Sequence, residues 1–153
     1  MLDNDINELR VTDGKIEDIL GAEKGSRVAG EVLYYLSVEW LHNALSYDQD
    51  HLHPESRFNP NTRPPRVTPE NWVRWRSNRN RLPNLHLLDG KSNSSKGAIP
   101  LIEFVGGMNL ETRERFMETA MIPDGASLDI EQFEEFYEER KAVLTKKIRE
   151  LLG

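Results

Sequence analysis

The chain carries the sequence Tyr-Asp-Gln-Asp-His-Leu-His-Pro at residues 47–54, and the organisation of its central part follows from this stretch. A short apolar-to-acidic run over residues 45–51 predicts a strand. Pro54 then forces an extended or turning backbone at His53, so a loop should follow. Successive side chains of a strand point to opposite faces, and Asp50 and His51 can therefore take different tasks although they are neighbours.

A second set of polar residues lies further along the chain. Residues 84–88 read Asn-Leu-His-Leu-Leu and predict a short strand that ends in an Asp-Gly turn. Asn93 lies nine residues after Asn84, near the start of a predicted helix. An amide oxygen is a suitable second ligand for magnesium beside a carboxylate. Asn84, with donors and an acceptor, could instead tie the loop that carries His51 to the strand.

A carboxylate, an imidazole and amide oxygens together suit the hydrolysis of a phosphodiester. In that reaction a metal ion stabilises the charge that grows on the phosphate, while a base that is not bound to the metal takes a proton from water. The chain contains no cysteine, which excludes disulfides and thiolate zinc sites. The sequence therefore predicts a hard cation, Mg²⁺ or Mn²⁺, as the cofactor.

The remaining segments predict a mostly helical α+β protein. Apolar residues recur at spacings of three and four between residues 27 and 45, which indicates an amphipathic helix. Thr68 and Pro69 form a good helix start before residues 71–79. The helical period also marks residues 110–120 and 129–152, and one small helix is expected within residues 1–25.

With 153 residues, of which 37% are hydrophobic, the chain has the size of a single domain. We expect a helical N-terminal part, a central part with a short two-stranded antiparallel hairpin, and a C-terminal part of helices, at residues 1–45, 46–105 and 106–153. No apolar run is long enough to cross a membrane, and the first residues lack the pattern of a signal peptide. A cytoplasmic protein without a membrane partner is therefore expected.

Charge is distributed unevenly along the chain. The formal net charge is −6, yet residues 57–96 contain nine Lys or Arg residues and only two acidic ones. Such a segment can attract a polyanion while the remainder repels it. A solvated basic loop is an equally good reading of this segment alone. The alternative of equal weight is a nucleic-acid surface.

Residues 47–105 resemble a known family of nucleases. The Asp-Gln-Asp-His-Leu-His-Pro sequence at residues 48–54, followed by Asn84 and Asn93, is similar to the signature of HNH (ββα-metal) endonucleases. The sequences Asn-Leu-His-Leu-Leu at residues 84–88 and Asn-Ser-Ser-Lys-Gly at residues 93–97 look most like the C-terminal HNH domain of GmrSD-like modification-dependent restriction endonucleases. The resemblance implies that residues 46–105 form a ββα-metal core.

The resemblance also implies the role of each signature residue. Asp50 and Asn93 correspond to the metal ligands and His51 to the general base, while Asn84 corresponds to the residue that orients this base. The implied reaction is Mg²⁺- or Mn²⁺-dependent hydrolysis of DNA. The expected product is a nick, so a double-strand break would require two visits or a homo-oligomer.

The same resemblance implies a biological role and leaves two alternative functions open. Full-length relatives carry a nucleotide-hydrolysing sensor domain, N-terminal or separate, and act as effectors in restriction or phage defence. This chain has no Gly-rich phosphate loop of the Walker type, so it would be an effector domain or a lone nuclease. One rival is a catalytically inactive module that binds nucleic acid. Another is a toxin-like or RNA-directed nuclease of the same fold.

Several further side chains are predicted to support this site. Arg79 and Arg81 flank the second strand and should contact DNA phosphates without reading sequence. Lys96 could contact a phosphate or simply lie on the surface of a helix. Asp48 and His53 are expected to surround the metal ligands, with His53 either stabilising the loop or facing a phosphate. The remaining candidates are predicted to be structural rather than ligands, although the two tryptophans could also contact substrate: His42, Trp72, Trp75 and His86.

Overall fold

The computed structural model of the chain describes residues 12–37, 47–89 and 96–152. In chain order its elements are α1 (Asp13–Leu20), α2 (Arg27–Ser37), β1 (Tyr47–His51), α3 (Pro69–Asn78), β2 (Leu85–Asp89), α4 (Leu101–Gly106), α5 (Leu110–Thr119) and α6 (Phe133–Leu152). Short 3₁₀ turns lie at Glu55–Arg57, Leu82–Asn84 and Ile130–Gln132. None of the helices in these ranges combines the length and apolarity that crossing a bilayer requires.

The two strands confirm the α+β class. β1 and β2 pair in antiparallel fashion, with Tyr47 opposite Asp89 and His51 opposite Leu85. The connection between the strands is not a tight turn, since it contains α3 and two 3₁₀ turns. The end of β1 therefore lies beside the beginning of β2, where Asp50 faces His86 across the pair.

Local signals account for the helix starts. The Thr68 Oγ1 accepts a hydrogen bond from the Asn71 backbone N–H at 3.2 Å, and Pro69 occupies the first helical position of α3. Asn109 caps α5 in the same way, through the Thr112 N–H at 2.9 Å. A side-chain acceptor at this position satisfies a backbone donor that the helix itself leaves unpaired. The predicted helices over residues 71–79 and 110–120 are thus confirmed.

The other predicted helices agree with the structure to different extents. The small N-terminal helix is α1, and the helix predicted from residue 27 is described as far as Ser37. The prediction over residues 129–152 is confirmed as a 3₁₀ turn followed by α6. Helix α4 was not predicted, because six residues are too short to show a helical period. His42 and Asn93 lie outside the described residues.

Helix α6 joins two apolar clusters. Its first half contributes Phe133, Phe136 and Tyr137 to a cluster that includes Trp72 and Trp75. Its second half contributes Leu144 and Ile148 to a cluster with α1, α2 and the start of β2. Both tryptophans are about 4% exposed, so they pack in the core and do not contact a substrate. Burial of large apolar groups of this kind supplies the main driving force for folding.

Arg140 lies fully buried at the middle of α6. Its Nε donates to the Ala120 carbonyl at 3.1 Å, and its Nη1 donates to the carbonyls of Leu82 and Pro83 at 3.0 and 2.8 Å. Burial lowers the pKa of Arg140 to about 9. The hydrogen bonds of the guanidinium thus connect α6 to the turn that leads into β2.

Candidate functional site

Asp50 occupies a nearly buried position at the end of β1, with 13% of its side chain exposed. Its Oδ2 lies 3.4 Å from His86 Nε2 and 3.2 Å from Lys96 Nζ. The antiparallel register explains the first contact, because Asp50 and His86 are direct cross-strand partners. The carboxylate therefore faces a neighbouring strand and a cation.

The surroundings of Asp50 hold it in the ionised form. Burial by itself raises its pKa, but the hydrogen bond from His86 and the charge of Lys96 together lower it below the usual value. Burial lowers the pKa of His86 to about 4, and its contact with Asp50 only partly opposes this effect. His86 is thus a neutral donor at physiological pH, and Lys96 supplies the positive charge next to the carboxylate.

His51 takes part in a separate set of contacts. Its Nε2 lies 2.7 Å from Asn80 Oδ1. Since an amide oxygen only accepts, Nε2 carries the ring hydrogen and Nδ1 keeps a free lone pair. Burial lowers the pKa of His51, although the Asn80 contact works in the opposite direction. The ring is therefore a neutral base with a defined tautomer.

Asn80 is itself held in place by the backbone. Its carbonyl accepts a hydrogen bond from the Lys24 N–H at 2.7 Å, and an isolated bridge joins Glu23 to Arg81. The segment after α1 thus anchors the segment after α3. This arrangement fixes the amide that contacts His51.

Asn84 ties the loop after β1 to the start of β2. Its Oδ1 accepts from the His53 N–H at 2.9 Å, and its Nδ2 donates to the carbonyls of His53 and Arg79 at 3.0 and 2.8 Å. Its own backbone carbonyl accepts from the Leu52 N–H at 2.8 Å. The side chain is fully buried. Three backbone groups, two of His53 and one of Arg79, therefore depend on one amide.

His53 belongs to the core rather than to a phosphate-facing surface. The side chain is 1% exposed, and its ring packs edge-on against Phe133 and Phe136. Its Nε2 is buried without a hydrogen-bond partner. Burial lowers the pKa of His53 to about 3. Of the two alternatives from the sequence, only the stabilisation of the loop is compatible with this position.

Lys96 fits neither alternative from the sequence, a phosphate contact or a place on the surface of a helix. Its side chain is 1% exposed, and its Nζ donates to the His51 carbonyl at 2.7 Å in addition to its contact with Asp50. The ammonium also lies 5.8 Å from the centre of the Phe104 ring. Burial lowers the pKa of Lys96, which the negative charge of Asp50 opposes. The nearly buried carboxylate of Asp50 attracts this lysine inward, a contact that helix periodicity does not encode.

The two arginines that the sequence proposed for DNA contact occupy different surroundings. Arg79 lies next to Asn80, and its Nε is 3.6 Å from Glu55 Oε1, with a quarter of its side chain exposed. Arg81 donates to Asn78 Oδ1 at 3.2 Å and lines a groove that also contains Glu17, Tyr137, Glu138 and Lys141. Arg79 is thus close to the candidate site, whereas Arg81 faces mixed charges.

Only one of the two predicted metal ligands lies within the described residues. Asp50 is described, and Asp48, two residues earlier on the same face of β1, is exposed. Asn93 lies outside the described residues. Within residues 12–37, 47–89 and 96–152, no group of three or more His, Asp or Glu side chains is arranged to hold a metal. The contact with Lys96 does show that Asp50 is placed to bind a positive charge.

His86 and Asn80 were missed as site residues by sequence reasoning. His86 was assigned a structural role, since a histidine within a strand can face either the core or solvent. A signal was available, because pairing residues 51 and 85 places His86 directly opposite Asp50. No comparable signal marks Asn80, which reaches His51 only through the fold.

The geometry brings Asp50, His51 and Asn84 together at one end of the strand pair. No protein-family model matches the chain, and no curated protein matches it. Function is therefore inferred from the contacts of these three residues and of the side chains that hold them.

Proposed function

We propose that this chain is a metal-dependent endonuclease of the HNH (ββα-metal) type that hydrolyses DNA phosphodiester bonds. The observation that supports this proposal best is that two adjacent residues, Asp50 and His51, have partners of different charge. Asp50 pairs with a cation, Lys96, whereas His51 binds the neutral amide of Asn80. A carboxylate suited to a cation and an imidazole free of one are the two groups that metal-assisted hydrolysis requires.

Asp50 is proposed to hold the divalent ion together with Asn93. The donor chemistry fits, because the carboxylate is ionised and already faces a positive charge. When bound, Mg²⁺ or Mn²⁺ supplies Lewis-acid stabilisation of the charge on the phosphate and the leaving oxygen. Two protein oxygens suit magnesium, which retains several waters in its coordination shell.

His51 is proposed to act as the general base. Its neutral ring keeps Nδ1 free, since Nε2 is engaged by Asn80. Nδ1 accepts a proton from a water molecule, and the oxygen of this water forms a bond to phosphorus. The bond from phosphorus to the leaving oxygen breaks, so one strand of the duplex is cut.

Asn84 is proposed to position this base without touching the substrate. Its hydrogen bonds fix the backbone of His53 and Arg79, and its carbonyl fixes Leu52. The loop directly after His51 is therefore held on two sides. A base that is rigidly placed contributes more to the rate than one that samples many orientations.

DNA is the proposed partner because of the basic segment. Four arginines between residues 57 and 74 are exposed, and Arg79 is partly exposed beside the site: Arg57, Arg63, Arg66 and Arg74. Contacts from such residues neutralise phosphates and carry little sequence preference. The resemblance to GmrSD-like enzymes suggests an effector role in restriction or phage defence, with a nucleotide-hydrolysing sensor domain as a further partner.

Nicking of a supercoiled plasmid tests the proposal. The protein should nick the plasmid with Mg²⁺ or Mn²⁺ and lose this activity in EDTA. Asp50→Asn and His51→Ala should both abolish nicking, while Asp124→Asn, which alters an exposed carboxylate, should retain it. His51→Ala should still bind DNA and Mn²⁺, because its role is proton transfer alone. Normal cutting by His51→Ala would reject the assignment.

The same assay separates the rival functions. DNA binding without metal-dependent nicking by the unmodified protein would indicate an inactive nucleic-acid-binding module. Cleavage of RNA in preference to DNA of the same sequence would indicate an RNA-directed or toxin-like nuclease.

A further inference from the structure

The ammonium of Lys96 lies in a small oxygen-lined position at the end of β1. Asp50 Oδ2 is 3.2 Å and the His51 carbonyl oxygen is 2.7 Å from Nζ. The two oxygens belong to consecutive residues, and the Phe104 ring lies 5.8 Å away. With 1% of its side chain exposed, Lys96 is shielded from water. Two oxygens from consecutive residues thus bind this ammonium in a position shielded from water.

We propose that the ammonium of Lys96 competes with the divalent ion for Asp50. Lys96 neutralises Asp50 when no metal is bound, and the metal displaces Lys96 when it binds. This inference rests on the proposed function, since it takes Asp50 as a metal ligand. It adds a regulatory element to the same site. The displaced group is the ammonium of Lys96, and the exchange involves no covalent step.

The charges around Asp50 provide the physical reason. Among the described residues, those in contact with its carboxylate are His86, a neutral donor, and Lys96, a cation. A buried carboxylate without a compensating charge is costly, so removal of the ammonium must be balanced by another cation. A divalent ion on the same oxygen would lie within a few ångströms of Nζ, where repulsion between like charges is strong. Ammonium and metal therefore exclude one another at Asp50.

Measurement of Mn²⁺ binding by electron paramagnetic resonance tests the competition without reference to activity. Lys96→Met removes the charge and keeps an apolar chain of similar length, so it should bind Mn²⁺ about tenfold more tightly or better than the unmodified protein. Lys96→Gln should act in the same direction. Lys146→Met changes an exposed lysine of α6 and should leave the affinity unchanged. Equal or weaker binding by the Lys96 variants would overturn the inference.

A second measurement uses the protein without mutation, so it does not depend on how well a variant folds. Acetylation of each lysine by a water-soluble ester is followed by mass spectrometry with and without Mn²⁺. Lys96 should react slowly in the absence of metal and several-fold faster with saturating Mn²⁺, while the exposed Lys146 and Lys147 should react at constant rates. Protection of Lys96 that persists with bound Mn²⁺ would overturn the displacement.

Asp50→Asn distinguishes failure of this inference from failure of the proposed function. If this variant binds Mn²⁺ as well as the unmodified protein does, Asp50 is not a ligand and the metal site of the proposed function is wrong. If it loses Mn²⁺ binding while Lys96→Met gains none, Asp50 remains a ligand and only the competition is refuted. Tighter binding by Lys96→Met that is abolished by adding Asp50→Asn supports both.

Discussion

Asn80 contacts His51 through a single 2.7 Å hydrogen bond between Oδ1 and Nε2, and this bond selects the ring tautomer. Asn80 lies two residues after the end of α3, while His51 ends β1, so the two residues come from different parts of the fold. The contact leaves Nδ1 as the only basic nitrogen of the ring. The proposed base function of His51 thus depends on a residue that takes no part in the proposed reaction.

Asn80→Ala should lower kcat for plasmid nicking by about tenfold or more and leave KM nearly unchanged, because base positioning is lost while DNA contacts remain. Nitrogen-15 NMR of the imidazole should show a mixture of tautomers in place of the Nε2–H form. Asn78→Ala, on α3, is the matched control and should preserve both readouts. An Asn80→Ala protein with unchanged kcat and a pure Nε2–H form would refute the positioning role.

Asn84→Ala should destabilise the protein by about 3 kcal/mol, because it leaves three backbone groups without their partners, two of them in buried hydrogen bonds. Urea unfolding measures this loss. Asn59→Ala is the matched control, since Asn59 Oδ1 makes one exposed hydrogen bond with the Asn61 N–H at 2.9 Å. The control should cost less than about 1 kcal/mol. Equal losses in the two variants would contradict the anchoring role of Asn84.

The secondary structure was largely predictable because its signals are local. The cap at Thr68, the proline at position 69 and the apolar period of α6 act through neighbouring residues, and each gave an element of the expected type. The pairing of β1 with β2 was also anticipated. Local signals could not predict how deeply each polar side chain is buried, because burial depends on which distant element packs against it.

His53→Phe should flatten the pH dependence of stability in acid. The folded pKa of about 3 lies below the ordinary value of 6.5, so the unfolded chain takes up a proton first. The stabilisation is complete above pH 6.5 and is lost as the pH falls toward 3, by about 2 kcal/mol between pH 7 and pH 5. Urea unfolding at these two pH values should show this difference removed in the variant.

The same substitution should be neutral or stabilising at pH 7. A phenyl ring keeps the edge-on contacts with Phe133 and Phe136 and removes the buried Nε2 that has no partner. An unchanged pH slope in His53→Phe would show that His53 is not the group that titrates.

Arg140→Lys should cost about 3 kcal/mol or more, because an ammonium cannot reach all three carbonyls and remains a buried charge. Arg149→Lys is the matched control on the same helix, where Arg149 pairs with Asp13 at the surface. An exposed pair of this kind should contribute about 0.5 kcal/mol. Thermal or urea unfolding gives both values, and a loss at position 140 no larger than at position 149 would contradict the fastening role.

Arg79→Ala should weaken DNA binding and reduce the slope of log affinity against log salt by about one, the change expected for one lost phosphate contact. Arg115→Ala, an exposed arginine of α5 next to Glu111, is the control and should change neither value. Fluorescence anisotropy with a short duplex at several salt concentrations provides both numbers. An unaltered salt slope would remove Arg79 from the DNA surface.

The candidate site was predictable from the sequence only in part. Asp50, His51 and Asn84 were predicted from their types and spacing along the chain, and the structure places them at one end of the strand pair. Lys96 was misjudged, since a lysine in a polar sequence ordinarily points to solvent and only the buried carboxylate reverses that preference. Asn80 and His86 become part of the site only when residues about thirty positions apart in the chain are paired.

The hydrogen bonds of Arg140 to the turn before β2 also determine when the site can form during synthesis. Its guanidinium fastens the turn before β2 from a helix that leaves the ribosome last of all the described elements. A nascent chain that ends before α6 lacks this fastening and the aromatic groups of Phe133 and Phe136. On the proposed function, we therefore expect cutting activity only after translation has passed α6.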